Sequence, residues 1–113
     1  MTDQCIFCRI ARGDIPSKKV HEDDEIIVFH DIHPAAPVHL LMVPKEHVEN
    51  LMTMEGRHEA LLGRMLALAP RLAREQGATD GFRIVINNGP DGGQEVYHLH
   101  VHVLGGPRPW KRL

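Results

Sequence analysis

The sequence has no excess of charge of either sign. Its 113 residues carry 13 lysines and arginines against 15 aspartates and glutamates, for a net charge of −2. Proteins that bind nucleic acid or an anionic membrane surface usually display concentrated positive charge, and this composition offers none. Small molecules and other proteins are therefore the expected partners.

Long hydrophobic runs are also missing. No apolar stretch approaches the roughly 20 residues that a membrane-spanning helix needs. The opening MTDQCIFCRIARGD lacks the apolar core and the small-residue cleavage site of a signal peptide. We expect a cytoplasmic protein with no membrane partner, in which Cys5 and Cys8 stay reduced and form no structural disulfide.

Repeats, linkers and low-complexity tracts are absent as well. The length suits one hydrophobic core, and a hydrophobic share of 42% with a charged share of 25% is typical of a globular domain. We expect a single domain over residues 1–113.

Periodicity and turn residues predict two helices and about five strands. A short helix is expected over residues 5–12, ending at Gly13, and a long one over residues 57–76, kinked or interrupted at Pro70. The predicted strands cover residues 18–23, 25–31, 39–44, 81–88 and 96–104. Because short turns join these strands, we expect an α+β fold with an antiparallel sheet rather than a parallel βαβ array.

The long helix carries a wide apolar stripe that includes Leu61, Met65, Leu68 and Leu72. A helix this apolar in a small protein is typical of one that faces both its own sheet and a partner subunit. Complete burial in the core of one chain explains the stripe too.

The most informative segment is EVYHLHVHVLGG, residues 95–106, which places His98, His100 and His102 at every second position. Since side chains alternate along a strand, the three imidazoles should share one face at spacings of about 6.6 Å. The apolar residues Leu99, Val101 and Val103 should then point into the core.

Three uses of such a row can be weighed. One metal ion held by all three rings is strained, because His98 and His102 would lie about 13 Å apart at Cα on a regular strand. An exposed polar strand face is the uninformative alternative. Nucleophilic catalysis fits better, since the central His100 has a neighbour on each side to orient its ring and contact the substrate.

The segment HLHVHVL, with DGGQEVYHLHVHVLGG and FHDIHPAAPVHLLMVPKEH around it, resembles the histidine triad (HIT) family and its Hint-like branch of purine nucleoside phosphoramidate hydrolases. The likeness covers about residues 5–110. It implies a HIT-like fold, an antiparallel sheet of about five strands with one long and one short helix, which dimerises into a larger continuous sheet. A homodimer is therefore expected.

The same resemblance implies a reaction and its residues. His100 would attack the phosphorus of a purine nucleoside 5′-phosphoramidate of the AMP or GMP type and form a covalent nucleotidyl-histidine, which water then hydrolyses. His102 would contact the phosphate, His98 would orient the nucleophile, and His39 would help to move a proton to the departing amine.

The nucleotide would be held by a further set of residues that match the family. Asp31 is expected at the ribose, and Asn87 and Gln94 are expected near the phosphate. Gly93 and Val96 are expected as further nucleotide-binding residues. The expected base pocket consists of Ile6, Phe7, Ile10, Phe29, His30 and Ile32. Independently of the family, the consecutive N–H groups of residues 92–94 in a glycine turn predict an anion-binding concavity. Glu95 departs from the animal members, which carry serine there, and this raises a question of leaving-group preference.

The motif CIFC, residues 5–8, has too few residues before it for the strand that thioredoxin-like redox chemistry requires. Similarity to bacterial HIT proteins implies a structural zinc ion bound by Cys5, Cys8, His47 and His98, and no cofactor for catalysis itself. Two reduced cysteines packed as small hydrophobic side chains are the alternative.

Two rival functions stay open at this point. One is dinucleoside polyphosphate hydrolysis within the same family, but His102 and the VLGG flank favour the Hint-like branch. The other is a zinc-stabilised nucleotide-binding or scaffold protein, against which the full set of histidines speaks.

Overall fold

The computed structural model describes residues 4–110, and within them five strands form one antiparallel sheet. The strands are β1 (Lys19–Glu22), β2 (Ile26–His30), β3 (Val38–Pro44), β4 (Phe82–Val85) and β5 (Val101–Gly105). Their order is β1-β2-β3-β5-β4, so the last strand inserts between β3 and β4. This arrangement confirms the predicted α+β class.

Two α-helices accompany the sheet, α1 (Ile6–Ala11) and α2 (Glu59–Glu75). The helix α2 continues without interruption through the exposed Pro70, which has no N–H to donate. The predicted start of this helix near residue 57 lies in a 3-10 turn, Gly56–His58, and a second 3-10 turn covers Leu51–Thr53. No helix within residues 4–110 is both long and apolar enough to cross a bilayer.

The sheet buries a different helix on each face. One set of alternating strand residues packs with Met65, Ala69 and Leu72 of α2, and comprises Ile26, Val28, Leu40, Met42, Val101 and Val103. The opposite set packs with Phe7 and Ile10 of α1, and comprises Ile27, Phe29, Leu41 and Val43. Because side chains alternate along a strand, His39 and His102 lie on the face that α1 covers.

The last strand is shorter than expected, and the prediction of a strand over residues 96–104 was wrong at its start. Continuing the β3–β5 register would place Leu99 opposite Pro44. Pro44 has no N–H to donate, and the Leu99 N–H instead donates to the carbonyl of Val48 at 2.7 Å. His98 and His100 therefore lie on an irregular segment before β5, and only His102 belongs to the strand.

Candidate active site

His100 is held in one tautomer by the backbone. Its Nδ1 lies 2.7 Å from the carbonyl oxygen of His98, and since a carbonyl only accepts, Nδ1 carries the proton. In the neutral ring the other nitrogen, Nε2, then has a free lone pair. His100 is buried apart from 7% of its surface, and it lines a cleft of about 1230 Å³.

His39 and His102 form a second set of fixed tautomers. The Ala35 N–H donates to Nδ1 of His39 at 3.0 Å, so the His39 proton must sit on Nε2. That Nε2–H donates to Nδ1 of His102 at 2.9 Å, and Oδ2 of Asp31 lies 3.4 Å from the same nitrogen. The proton of His102 is thereby placed on Nε2, the ring nitrogen that His39 leaves free.

Burial keeps these rings neutral. Desolvation lowers the pKa of His102 to about 4, with repulsion from His100 and His39 adding to the effect. Desolvation also lowers the pKa of His100 and of His39, although the Asp31 carboxylate acts in the opposite direction on both. The site thus presents one unprotonated nitrogen at His100 beside one N–H donor at His102, with 5.0 Å between the two ring centroids.

A cleft of about 1230 Å³ opens over these two histidines. One wall comes from α1, where Phe7 packs its ring edge-on to His100 at a centroid distance of 5.0 Å. A cleft of this size and mixed lining suits an organic ligand with a flat apolar part and a polar part.

Most residues predicted to bind nucleotide do line this cleft, as the structure places them. These are Ile6, Phe7, Ile10, Phe29, His30, Asp31, Ile32, Asn87, Gly93 and Val96. Ile32 is 85% exposed and therefore contributes only a rim. The Asp31 carboxylate is fixed by the His33 N–H at 2.8 Å. The Asn87 side chain makes no hydrogen bond to any residue from 4 to 110, and its amide is free for a ligand.

Gln94 does not reach the cleft. Its side-chain NH₂ donates to the carbonyls of Glu49 and Val96, and its Oε1 accepts from Asn50 and from the Gly89 N–H. The amide has no further hydrogen-bonding capacity to offer a phosphate. Gln94 instead holds the turn that precedes the histidine segment.

The prediction that the N–H groups of residues 92–94 are free to bind an anion was also wrong. The N–H groups of Gly92 and Gln94 donate to the carbonyl of Gly89, and that of Gly93 donates to Pro90. The turn satisfies its own donors. Within the described part of the chain, the N–H groups of Glu95 and Val96 have no acceptor, so the donors available to an anion lie just after the turn.

A second cluster lies behind His98. Sγ of Cys5 lies 3.2 Å from Nδ1 of His98, and Sγ of Cys8 lies 3.2 Å from Nδ1 of His47 and 3.4 Å from Nδ1 of His98. Bond lengths to zinc of 2.3 Å for sulfur and about 2.05 Å for nitrogen put tetrahedral S–N edges at about 3.5 Å. All four ligand atoms lie within 4.8 Å of one another. The predicted residues therefore fit a four-coordinate zinc ion.

The protonation of this cluster also suits a metal. Nε2 of His98 lies 2.7 Å from the carbonyl oxygen of Pro44 and must carry the proton, which leaves Nδ1 unprotonated on the thiol side. Burial and the adjacent Cys5 raise the pKa of Cys8 to about 11, so without a cation the Cys8 sulfur stays a thiol.

Asp31, His39 and His102 also bring three possible ligand atoms together, but their protons argue against a metal. The Ala35 N–H occupies Nδ1 of His39. A metal on Nε2 would then require a doubly deprotonated ring. The set is a proton-bearing chain, not a metal site.

The sequence did not single out several residues that complete the cleft, among them Ile15, Pro16, Ser17, Lys18, Leu41 and Val85. Strand geometry could have identified two of them. Leu41 shares a face with His39, and Val85 is the β4 partner of His102. The loop residues carry no such signal.

Comparisons with known proteins agree with this site. The sequence pattern of the HIT domain family matches residues 12–108. Protein HitA of Neisseria gonorrhoeae is 50% identical over 105 residues, which covers 93% of this chain and 98% of that protein.

Solved structures give the same result. The crystal structure of a HIT family hydrolase from Legionella pneumophila Philadelphia 1 is similar with a TM-score of 0.89 and 44% identity, and covers 93% of this chain and 95% of that one. A zinc-bound histidine triad family protein from Mycobacterium smegmatis has a TM-score of 0.81 and 34% identity, and covers 93% of this chain and 76% of that one.

The tautomers can be read directly by two-bond ¹H–¹⁵N NMR of the histidine rings. We expect His100 to show the proton on Nδ1 and both His39 and His102 to show it on Nε2, because backbone groups or the next ring fix each one. The exposed His33, whose ring has no hydrogen-bond partner among residues 4–110, serves as the reference for a mixture of tautomers. A proton on Nε2 of His100 would contradict the assignment.

Proposed function

The chain belongs to the HIT domain family, and on that basis we propose that it is a hydrolase that cleaves the P–N bond of purine nucleoside 5′-phosphoramidates. The products are a nucleoside monophosphate and an amine. The observation that carries the proposal is the hydrogen bond from Nδ1 of His100 to the His98 carbonyl. It leaves the Nε2 lone pair of a neutral imidazole at the cleft.

In the first step Nε2 of His100 attacks the phosphorus. An N–P bond forms to the imidazole while the bond from phosphorus to the departing nitrogen breaks, and that nitrogen keeps the electron pair and takes up one proton. The Nε2–H of His102, which lines the same cleft, is the donor placed to deliver it. His39 supports this transfer, because its own Nε2–H donates to Nδ1 of His102. A proton from the solvent then returns the two histidines to their starting protonation.

The second step releases the nucleotide. A water oxygen attacks the phosphorus, the bond to His100 breaks, and the electron pair returns to Nε2. The water yields one proton, which balances the proton taken up in the first step. The carbonyl of His98 stabilises the cationic nucleotidyl-imidazole between the two steps, because it accepts the Nδ1–H throughout.

The substrate is positioned by residues that share the cleft with His100. The apolar wall with Phe7, Ile10 and Phe29 takes the purine ring, and Asp31 takes the ribose hydroxyls. The Asn87 amide and the N–H groups of Glu95 and Val96 face the phosphoryl oxygens. These uncharged donors suit an oxyanion whose charge grows in the transition state.

Zinc is proposed as a structural ion held by Cys5, Cys8, His47 and His98. When bound it would replace the thiol protons and fix α1 against the segment that carries His100. It supplies no step of the reaction, since all four ligands are protein groups and no coordination position remains for substrate. The reaction needs no other cofactor.

We further propose that the active protein is a homodimer of single-domain chains in the cytoplasm. The exposed Leu66 of α2 and Phe82 of the edge strand β4 are apolar surface of the kind a partner would cover. A reducing compartment would keep Cys5 and Cys8 available as metal ligands.

Replacement of the nucleophile is the decisive test. Adenosine 5′-phosphoramidate should be converted to AMP by the wild-type protein, and His100→Ala should lower kcat/KM by about 10³ or more because the covalent route is lost. His21→Gln, a change at a histidine of β1 away from the cleft, is the matched control and should hydrolyse normally. Equal activity of His100→Ala and wild type would remove the assignment.

The pH profile should reflect the lowered histidine pKa values. Both rings must be neutral to act, and with a pKa of about 4 His102 stays neutral well below pH 6.5. Because burial lowers the pKa of His100 as well, kcat/KM, after subtraction of the uncatalysed rate, should hold as the pH falls through 6.5 and decline only at lower pH. An acidic limb centred at 6.5 or above would contradict this environment.

Metal analysis tests the structural site. Protein purified without chelator should hold about one zinc per chain, and Cys8→Ser should lose zinc and unfold at a lower temperature. Because Cys8 is buried, its replacement also disturbs packing, and adding zinc back separates the two effects. Added zinc should raise the unfolding temperature of the wild type and leave that of Cys8→Ser unchanged. Clearly substoichiometric zinc in the wild type, even after zinc is added back, would exclude the site.

A further inference from the structure

Glu95 introduces a negative charge beside the reacting groups. It lines the cleft together with Gly93, Val96 and His100, and its side chain is exposed. Within residues 4–110 its carboxylate makes no hydrogen bond and no ion pair. Asp31, the other carboxylate of the cleft, is by contrast bonded to the His33 N–H and lies beside His39.

Glu95 and the proposed nucleophile His100 line the same cleft, so the negative charge of Glu95 lies in the space where the reacting groups meet. The single lysine among the lining residues, Lys18, lies at another part of the cleft, where its carbonyl accepts the His30 N–H at the start of β1. No cation of the described chain therefore neutralises the Glu95 carboxylate.

An unpaired carboxylate next to an anionic phosphorus centre is unfavourable unless the ligand compensates it. In the binding mode proposed above, the base and ribose take the side of the cleft formed by α1, β2 and Asp31, which leaves the side with residues 93–96 for the group that departs from phosphorus. A positive charge on that group would be attracted by Glu95, and a negative charge would be repelled.

We propose that Glu95 is a specificity-determining residue that selects phosphoramidates whose departing amine carries a second, positively charged group. The inference rests on the proposed hydrolysis and names the class of leaving group for it. It also disfavours leaving groups that are themselves phosphates, and so separates this site from one adapted to dinucleoside polyphosphates.

The test uses three adenosine 5′-phosphoramidates whose N-hexyl chains end in an ammonium, a hydroxyl or a carboxylate group. The wild type should prefer ammonium to hydroxyl to carboxylate in kcat/KM. An exposed ion pair changes affinity by up to about fivefold, and the ammonium-to-carboxylate ratio combines one attraction with one repulsion. In Glu95→Gln this ratio should fall about tenfold.

Salt separates the electrostatic role from a structural one. Raising the ionic strength should lower the ammonium-to-carboxylate ratio of the wild type toward that of Glu95→Gln, whose ratio should hardly respond. Asp91→Asn removes an exposed carboxylate from the same loop that does not line the cleft, and it should leave the ratio unchanged. An unchanged ratio in Glu95→Gln, or an equal fall in Asp91→Asn, would overturn the proposal.

Binding decides the matter if no compound is hydrolysed. Dissociation constants of the three compounds for His100→Ala and for His100→Ala with Glu95→Gln can be measured by calorimetry without turnover. The same order of affinities, lost with the second substitution, supports the role of Glu95 even where the hydrolase proposal fails. Equal affinities in His100→Ala refute it, whatever the wild type hydrolyses.

Discussion

Three interactions of one buried residue, His98, hold the site together. Its Nε2–H donates to the Pro44 carbonyl, and its Nδ1 faces the two thiols. Its own carbonyl accepts a hydrogen bond from the Nδ1–H of His100. The side chain is fully buried, so each interaction forms without competition from water. The end of β3, the cysteine motif and His100, the proposed nucleophile, are therefore joined through a single residue. A shift of His98 would disturb all of them at once.

Backbone groups, not acidic side chains, determine which nitrogen of each histidine ring carries the proton. The Pro44 carbonyl, the His98 carbonyl and the Ala35 N–H each fix one ring. Backbone groups do not titrate, so these tautomers persist over a wide pH range. Burial supplies the second condition, since it lowers the pKa of these rings and keeps them uncharged. The arrangement yields a neutral nucleophile beside a neutral donor.

The sequence predicted the fold well wherever periodicity is local. Alternation placed Val101 and Val103 in the core, and helical spacing placed Met65 and Leu72 against the sheet. Prediction failed where particular backbone hydrogen bonds, distant or local, decide the conformation. The start of β5 was misplaced because the Leu99 N–H donates to the Val48 carbonyl. The glycine turn was wrongly predicted to bind an anion, because its N–H groups donate to carbonyls within the turn.

The candidate site divides in the same way. The histidine pattern pointed to His100 from alternation and flanking alone, and the cleft collects most of the residues that family resemblance supplied. Gln94 was misplaced because its partners Asn50 and Glu49 lie 44 and 45 residues away, a distance over which no sequence pattern operates. Glu95 came to notice as a departure from the family, but its unpaired state emerged only from the structure.

The distribution of the candidate metal ligands along the chain has a consequence for synthesis. Cys5 and His98 are 93 residues apart, and β5, which inserts into the middle of the sheet, is the last strand to be made. A chain growing on the ribosome at about 5–20 residues per second spends several seconds with both thiols exposed and only His47 available as a further ligand. Neither the four-residue cluster nor the cleft can be completed before the histidine segment emerges, so an unfinished chain offers at most three of the four candidate ligands and no formed cleft.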